Sequence, residues 1–306
     1  MLVNGALKLG AATGANPIIL GATVIAVATT LPEIMISTIA VVETSQGMAV
    51  GNAVGGMLVN FGLVLGVYML LRPTVVSRRD VFVKGCFIAL SLGLLLFASL
   101  SGNIGVLDGA VMIGVFAVFI AFTVWQAKRA RPTYISNEHE MIMLSTDQRA
   151  KLRNGAILGL ALGQALLIFG AWMLVSNGER LAEGWGVSES IIGFTLIAAA
   201  TSLPEFVTII AAIRRKSSEL ALGNILGSNI INATLLVGIC AVTGYAMGVG
   251  LVVPPQIISV ALPVLVGVCA VALLPMLLRG RTYRWQGAVL LAAYISYMVY
   301  ILSTQL

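Results

Sequence analysis

Long apolar runs govern what this chain can become. They lie near 17–42, 47–71, 81–101, 104–126, 155–177, 188–213, 218–243, 251–278 and 285–303, with a further stub at 1–12. About 20 predominantly apolar residues are enough for a helix to cross a bilayer, so each run reads as a spanning helix. The expectation is an all-α integral membrane protein with nine full spans. Composition agrees: 59% of the 306 residues are hydrophobic and 10% charged, whereas soluble domains carry about 25% charge. No length is left for a sizeable soluble domain, which excludes nucleic-acid binding and cytosolic catalysis. Cys86, Cys240 and Cys269 are scattered through the apolar runs without metal-like spacing. They read as packing residues, not as a disulfide framework or a zinc site.

The net charge of +6 is distributed by loop. Arg72, Arg78, Arg79 and Lys84 follow the second run; Lys128, Arg129, Arg131, Arg149, Lys151 and Arg153 fill the central loop. Arg214, Arg215 and Lys216 follow the sixth run, and Arg279, Arg281 and Arg284 precede the last. An excess of Lys and Arg marks cytoplasmic loops, so these are expected inside. The intervening loops hold Glu43, the neutral stretch 101–105, the cluster Glu179, Glu183 and Glu189, and residues 243–250, and are expected outside. The expected location is the cell membrane, crossed many times. The first residues have no basic start and do not read as a cleavable signal peptide.

An internal duplication organises the runs. GATVIAVATTLPE (residues 21–33) recurs as GFTLIAAATSLPE (193–205), and GNAVGGMLVN (51–60) recurs as GNILGSNIIN (223–232), both at an offset of 172 residues. About 18 of roughly 46 aligned positions from Gly21 onward are identical without a gap. The first motif helix enters from the side of Lys8 and the second from the acidic loop, so the copies are expected to run oppositely through the membrane. Inverted repeats are a transporter feature. The expected organisation is a first repeat of about five helices at 1–126, a cytoplasmic central loop at 127–154 and a second repeat at 155–306. The run 155–177 has its counterpart before Met1, so the first repeat reads as one helix short, with either a nine-span protein or a start placed too far downstream.

Two carboxylates lie deep inside the runs, Glu33 and Glu205, at equivalent repeat positions. An ionised group at the bilayer centre costs about 2.5–3.5 kcal/mol even on lenient insertion scales and needs a partner, here expected to be a cation. Each follows a proline, and Pro32 and Pro204 remove an amide donor and disfavour helix at Leu31 and Leu203. A helix break is expected at both sites, freeing carbonyls around 26–30 and 198–202, which is tolerated where the backbone binds an ion or lines a cavity. These carbonyls, the hydroxyls of Thr29, Thr30, Thr201 and Ser202, and two carboxylates make an all-oxygen set suited to hard cations. Gly51, Gly55, Gly223 and Gly227 leave helix faces bare for close approach, while Asn52, Asn60, Asn224 and Asn232 supply amide oxygens. Calcium takes about 6–8 oxygens at about 2.3–2.6 Å, and two carboxylates neutralise one divalent ion; several Na⁺ sharing the oxygens is the alternative. Asp108 reads as interfacial, His139 as solvated in the central loop, and Trp125, Trp172, Trp185 and Trp285 as interfacial anchors.

At these motifs the chain resembles the calcium/cation antiporters, and within them the prokaryotic sodium/calcium exchangers, over nearly its whole length. The resemblance implies ten helices built as two inverted five-helix halves whose motif helices surround the ions. It implies that Glu33 and Glu205 ligate Ca²⁺ and share Na⁺, assisted by Thr29 and Thr201, with Ala26 and Ala198 offering carbonyls. Asn60 and Asn232 match central amide or carboxylate positions, and Asn232, where the potassium-dependent branch carries Asp, argues against K⁺ co-transport. Three departures stand out. Ala28 and Ala200 replace a family glycine, Thr30 replaces a serine, and the hydroxyl of Ser228 has only Gly56 opposite it in the first repeat, which leaves the Na⁺ stoichiometry open. The expected function is Ca²⁺/Na⁺ antiport by alternating access without a resident cofactor and without enzymatic activity. Ca²⁺/H⁺ antiport is the alternative, since a carboxylate can be protonated when no ion is bound. A truncated inactive remnant is a further reading, and an intramembrane hydrolase, which lacks a nucleophile distinct from the ion ligands, a more distant one.

Overall fold

The computed structural model describes Gly5, residues 17–129, 154–155, 157–163, 165–166, 169–170, 173 and 198–305. Seven helices among the described residues are long and apolar enough to cross a membrane: α1 (Gly21–Val42), α2 (Gln46–Leu71), α3 (Arg78–Ser99), α4 (Val106–Gln126), α6 (Ser218–Ala246), α7 (Ile257–Arg279) and α8 (Arg284–Thr304). The shorter α5 (Leu203–Arg214) precedes α6 and follows a single helical turn, Ala198–Thr201. Of the expected spans, 155–177 and 188–213 fall partly outside the described residues, as does most of the central loop. The span expected from 251 starts later, helical from Pro255 onward, because Val252 is drawn into an antiparallel bridge with Asn103 and proline suits the first helical position.

Burial separates an inner from an outer set. In α2 and α6 78% and 83% of the most apolar window is buried, against 22% in α4 and α8. The two inner helices carry the Gly-Asn motifs, and small residues there let backbones touch: a Cβ on Gly227 of α6 would fall 2.6 Å from the Ala22 carbonyl oxygen of α1. With no hydrophobic driving force between helices in lipid, such close van der Waals seams are what hold them together.

Contacts recur in the two duplicated segments, at the offset of 172 in the turns and inner helices and at 177–178 further along. The turn between α1 and α2 places Thr44 in the left-handed region at φ 65°, and the turn between α5 and α6 does the same with Lys216 at φ 58°. Each is closed by a Schellman bond, Ser45 N–H to the Ala40 carbonyl at 2.7 Å and Ser217 N–H to the Ala212 carbonyl at 3.0 Å. A Cβ on Gly287 of α8 would lie 2.5 Å from the Gly66 carbonyl of α2, and one on Gly238 of α6 would lie 2.8 Å from the Gly109 carbonyl of α4. The loop after α2 bridges Val75 to Arg281, before α8; the loop after α6 bridges Val252 to Asn103, before α4.

These bridges sit at the two ends of α3, which begins after the first loop and ends before residue 103. The loop at Arg72–Ser77 also meets the C-terminus of α5, where the Arg72 guanidinium donates to the Ile213 carbonyl at 3.2 Å. Arg72, Arg78, Arg79, Arg214, Arg215, Lys216, Arg279, Arg281 and Arg284 thus belong to one end of the molecule. Gly47 abuts Pro254 at the other end. Cysteines replacing Arg79 and Arg215 in a background without Cys86, Cys240 and Cys269 are expected to react with an impermeant thiol reagent from the same face, and a cysteine replacing Ser101 only from the opposite face. Labelling of Arg79 and Arg215 positions from different sides would contradict this arrangement.

Candidate functional site

The duplicated motifs meet in the middle of the bundle. Thr29, Thr30 and Glu33 come from α1, Asn52 and Asn60 from α2, Thr201, Ser202 and Glu205 from the turn before α5 and its first turn, and Asn224, Ser228 and Asn232 from α6. All are at most 1% exposed. Every sequence-expected side-chain donor therefore lies in the buried interior. Ala26 is buried in α1, with its carbonyl accepting from the Thr29 hydroxyl at 3.3 Å, and Ala198 begins the turn that carries Thr201.

The expected helix breaks are realised on one side only. Ser202 interrupts the helix between Ala198–Thr201 and α5, but Leu31 and Pro32 lie within uninterrupted helix from Ala26 to Val42. This corrects the sequence expectation for the first copy. Pro32 deprives the Ala28 carbonyl of its helical donor, a loss of one bond, whereas opening a whole turn in hydrocarbon would strand several backbone groups. Irregularity appears elsewhere, as wide π-turns at Gly21–Ile25, Val59–Val64 and Asn232–Leu236. Asn60 and Asn232, related by the repeat offset, both sit in such turns, a placement that the apolar periodicity did not reveal and that recurs at functional sites.

Hydrogen bonds cross between the repeats in matched pairs. The Thr29 hydroxyl donates to Asn224 Oδ1 at 3.4 Å, and the Thr201 hydroxyl to Asn52 Oδ1 at 3.1 Å. The carboxylates differ. Glu205 Oε1 accepts from Thr30 at 3.4 Å and Ser228 at 3.5 Å, while neither oxygen of Glu33 has a hydrogen-bond partner among the described residues. The repeat explains the difference: the counterparts of Thr30 and Ser228 are Ser202 and Gly56, and glycine carries no hydroxyl. Position 56 does face the cluster, since a Cβ there would lie 3.3 Å from Asn232 Nδ2 and 3.7 Å from Ser202 Oγ. Ser202 Oγ, Glu205 Oε2 and both amide atoms of Asn60 and Asn232 are also buried without partners among the described residues.

Buried polar atoms are ordinarily satisfied, because an unpaired one costs roughly 1–3 kcal/mol and a charged one more. Such groups converging from four helical elements, in electrostatic reach of a second carboxylate, form a donor set made of oxygen with two formal negative charges. Asn52 is engaged at both ends of its amide, the oxygen accepting from Thr201 at 3.1 Å. Its amide nitrogen is spent on Ser37 Oγ at 2.9 Å and the Glu33 carbonyl at 3.4 Å. Ser37 was not recognised from the sequence, although it continues the stripe Thr29–Glu33–Ser37, spaced by four on one face of α1.

Comparison with known proteins places the whole chain in one context. The profile of a family described as "Sodium/calcium exchanger protein" matches residues 1–125 and 155–303. The chain is 33% identical to the putative antiporter CaxA of Alkalimonas amylolytica, covering 99% of this chain and 93% of that protein. It is 26% identical to the sodium/calcium exchanger MaX1 of Methanosarcina acetivorans, over 97% and 92% of the two chains. Among solved structures it is similar to the sodium-calcium exchanger NCX_Mj soaked with Na⁺ and Sr²⁺, with a TM-score of 0.78, 26% identity and coverage of 97% of this chain and 91% of that one.

The unequal support of the two carboxylates sets an expectation for stability. In detergent with a chelator, Glu33→Gln is expected to raise the melting temperature by a few degrees, because it removes a buried charge for which no hydroxyl is provided, an effect of about 1–3 kcal/mol. Glu205→Gln should gain less, since Thr30 and Ser228 already donate to that side chain. Thermal unfolding followed by intrinsic fluorescence reads the order; a greater gain for Glu205→Gln would reverse this assignment.

Proposed function

The chain belongs to the sodium/calcium exchanger protein family, and on that premise we propose that it is a secondary antiporter, not an enzyme, which moves Ca²⁺ against Na⁺ across the cell membrane. The observation that carries this reading is the pair Glu33 and Glu205, fully buried at the crossing of the duplicated helices with unsatisfied oxygens turned inward. Two carboxylates balance one Ca²⁺ or two Na⁺. Because both cargoes need the same carboxylates, occupancy by one excludes the other, and exclusion at a shared site is what couples opposed fluxes. Thr29, Thr30, Thr201, Ser202, Ser228, Asn60 and Asn232 supply neutral oxygens, and the carbonyls of Ala26 and Ala198 complete a shell of the kind hard cations take. Asn60 and Asn232 are neutral amides, so the site carries no third formal charge to hold an additional K⁺.

Alternating access follows from two inverted halves. The loops after α2 and α6 are repeat-equivalent, yet one bridges to residue 281 at one end of α3 and the other to residue 103 at its far end. Equivalent turns pointing to opposite faces support halves that run oppositely through the bilayer. Two such halves can exchange conformations, which turns a site open to one face into a site open to the other. The basic end defined by Arg72, Arg79, Arg215 and Arg281 faces the cytoplasm under the positive-inside rule.

In vesicles loaded with Na⁺ and diluted into Na⁺-free medium, ⁴⁵Ca²⁺ uptake is expected to follow the Na⁺ gradient, and Glu33→Gln and Glu205→Gln are each expected to abolish it while the protein still inserts. Uptake driven by a pH gradient without Na⁺ would assign H⁺ as the counter-ion, and wild-type flux in either variant would remove the carboxylates from the site.

Gly56→Ser tests the asymmetry. It restores the hydroxyl that the first repeat lacks, at the cost of a shift of a few tenths of an ångström in the Asn232 amide. The expected outcome is a lower Na⁺ concentration for half-maximal exchange or a steeper Na⁺ dependence, with Ca²⁺ affinity little changed; Ser228→Ala should act in the reverse direction. A stable, active Gly56→Ser protein with unaltered Na⁺ dependence would take position 56 out of the ion path.

A further inference from the structure

Asn60 lies in a turn of α2 that is one residue wider than an α-helical turn. The Leu65 N–H donates to the Asn60 carbonyl, five residues back instead of four. Wide turns are rare in helices, and the two that carry Asn60 and Asn232 are held by different means. In α6 the buried Thr234 donates its hydroxyl to the Ile230 carbonyl, so the turn at Asn232–Leu236 carries a side-chain tie of its own. The position equivalent to Thr234 in α2 is Gly62, which has no side chain to offer.

Helix α8 backs the turn at that glycine. Its residues Leu291 and Tyr294 follow Gly287 along one face: a Cβ on Gly66 would lie 2.9 Å from Leu291 Cγ, and a Cβ on Gly62 would lie 2.6 Å from Tyr294 Cβ and 3.2 Å from its Cγ. Tyr294 is itself buried. The base of the ring thus rests on bare backbone of the wide turn. In the other repeat Gly109 and Ile113 of α4 meet Gly238 as Gly287 and Leu291 meet Gly66. There the match ends, because Phe116 stands at the place of Tyr294 and Thr234 at the place of Gly62. Residues two apart on a helix are separated by about 200° around its axis. Gly62 therefore faces α8, and Asn60 faces the opposite way, into the cluster. Asn60 is fully buried, and neither atom of its amide has a partner among the described residues. No hydrogen bond of its own fixes how far it reaches, which leaves that to the packing behind the turn.

We propose that Tyr294 is a positioning residue for cation binding: by bracing the wide turn at Gly62 from behind, it holds the Asn60 amide at the transported ion. This rests on the reading of the site as a cation site. A void in place of the ring would let the turn relax into it, and a ligand must stay within about 0.5 Å of its productive position. Outer partners that orient a ligand change metal affinity by about tenfold or more when removed. Asn60 offers a neutral oxygen, so Na⁺ is the more sensitive probe, Ca²⁺ being held mainly by the carboxylates on the same reading.

The test uses the full chain in detergent and in vesicles, with Na⁺ as the probe. Tyr294→Ala is expected to raise the Na⁺ concentration for half-maximal thermal stabilisation and for half-maximal exchange about tenfold. Tyr294→Phe, which keeps the ring on Gly62, should bind Na⁺ as the unaltered protein does. Leu291→Ala is the packing control: it opens a void against Gly66, outside the wide turn, and is expected to lower the ion-free melting temperature without changing Na⁺ affinity. In an Asn60→Ala background Tyr294→Ala should add no further loss of Na⁺ affinity, as a double-mutant cycle would read. Unchanged affinity in Tyr294→Ala, an equal loss in Leu291→Ala or Tyr294→Phe, or the same loss with and without the Asn60 amide would overturn the proposal. If Tyr294→Ala does not fold, Tyr294→Leu, which removes the ring and keeps an apolar side chain, carries the same comparisons. Glu33→Gln separates the two readings: retained Na⁺ stabilisation in that variant would refute the cation site itself, whereas loss there beside an unaffected Tyr294→Ala would refute only the role of Tyr294.

Discussion

Two carboxylates held away from water in the middle of a helical bundle are the condition to which the rest of this structure answers. In hydrocarbon every backbone group needs a partner and a buried charge is costly unless compensated. The chain meets the first demand with helices and the second by bringing four polar segments to one place. That convergence requires the inner helices to touch along their backbones, and Gly227 against Ala22 is where α6 and α1 do so. The outer helices are then seated on the inner ones by Gly287 on Gly66 and Gly109 on Gly238.

A proline elsewhere in the bundle shows how differently a purely structural interruption is treated. Pro275 lies inside α7 and cannot donate to the Val271 carbonyl. The buried Gln286 side chain of α8 donates to that carbonyl at 3.0 Å and to the next at 3.2 Å, while its oxygen accepts from Tyr283 N–H at 2.8 Å. Here each polar group is answered within the protein. Around Glu33, Asn60 and Asn232 the side-chain oxygens are left unanswered by the described residues, and that contrast is what supports the proposed ion site.

Duplication supplied a nearly symmetric frame, and single substitutions have made its centre unequal. Gly56 in place of a hydroxyl leaves Glu33 bare while Glu205 has two donors. Ser37, with Ile209 at the equivalent position, accepts from the Asn52 amide at 2.9 Å, while the Asn224 nitrogen has no partner among the described residues. Both changes concern neutral polar groups, and neither alters the formal charge. On the proposed reading, an ion such as Na⁺ that depends on neutral oxygens would feel the inequality more than one held mainly by carboxylates.

The amino-acid sequence alone determined the helical class, the duplication, the distribution of charge between loops and the identity of the central carboxylates, because hydrophobic length, repeat offset and the cost of a membrane-buried Glu are all properties of residue type and spacing. It did not disclose that Pro32 would sit in unbroken helix, that Asn60 and Asn232 would occupy wide turns, or that Asn52 would be tied to Ser37 and Thr201. Those outcomes depend on which backbone groups and side chains find partners on other helices, some of them about 150 positions away in the chain. Local preference at Pro32 favours a break, but tertiary packing in a medium without water makes one missing hydrogen bond the smaller loss. Only the assembled bundle could decide it.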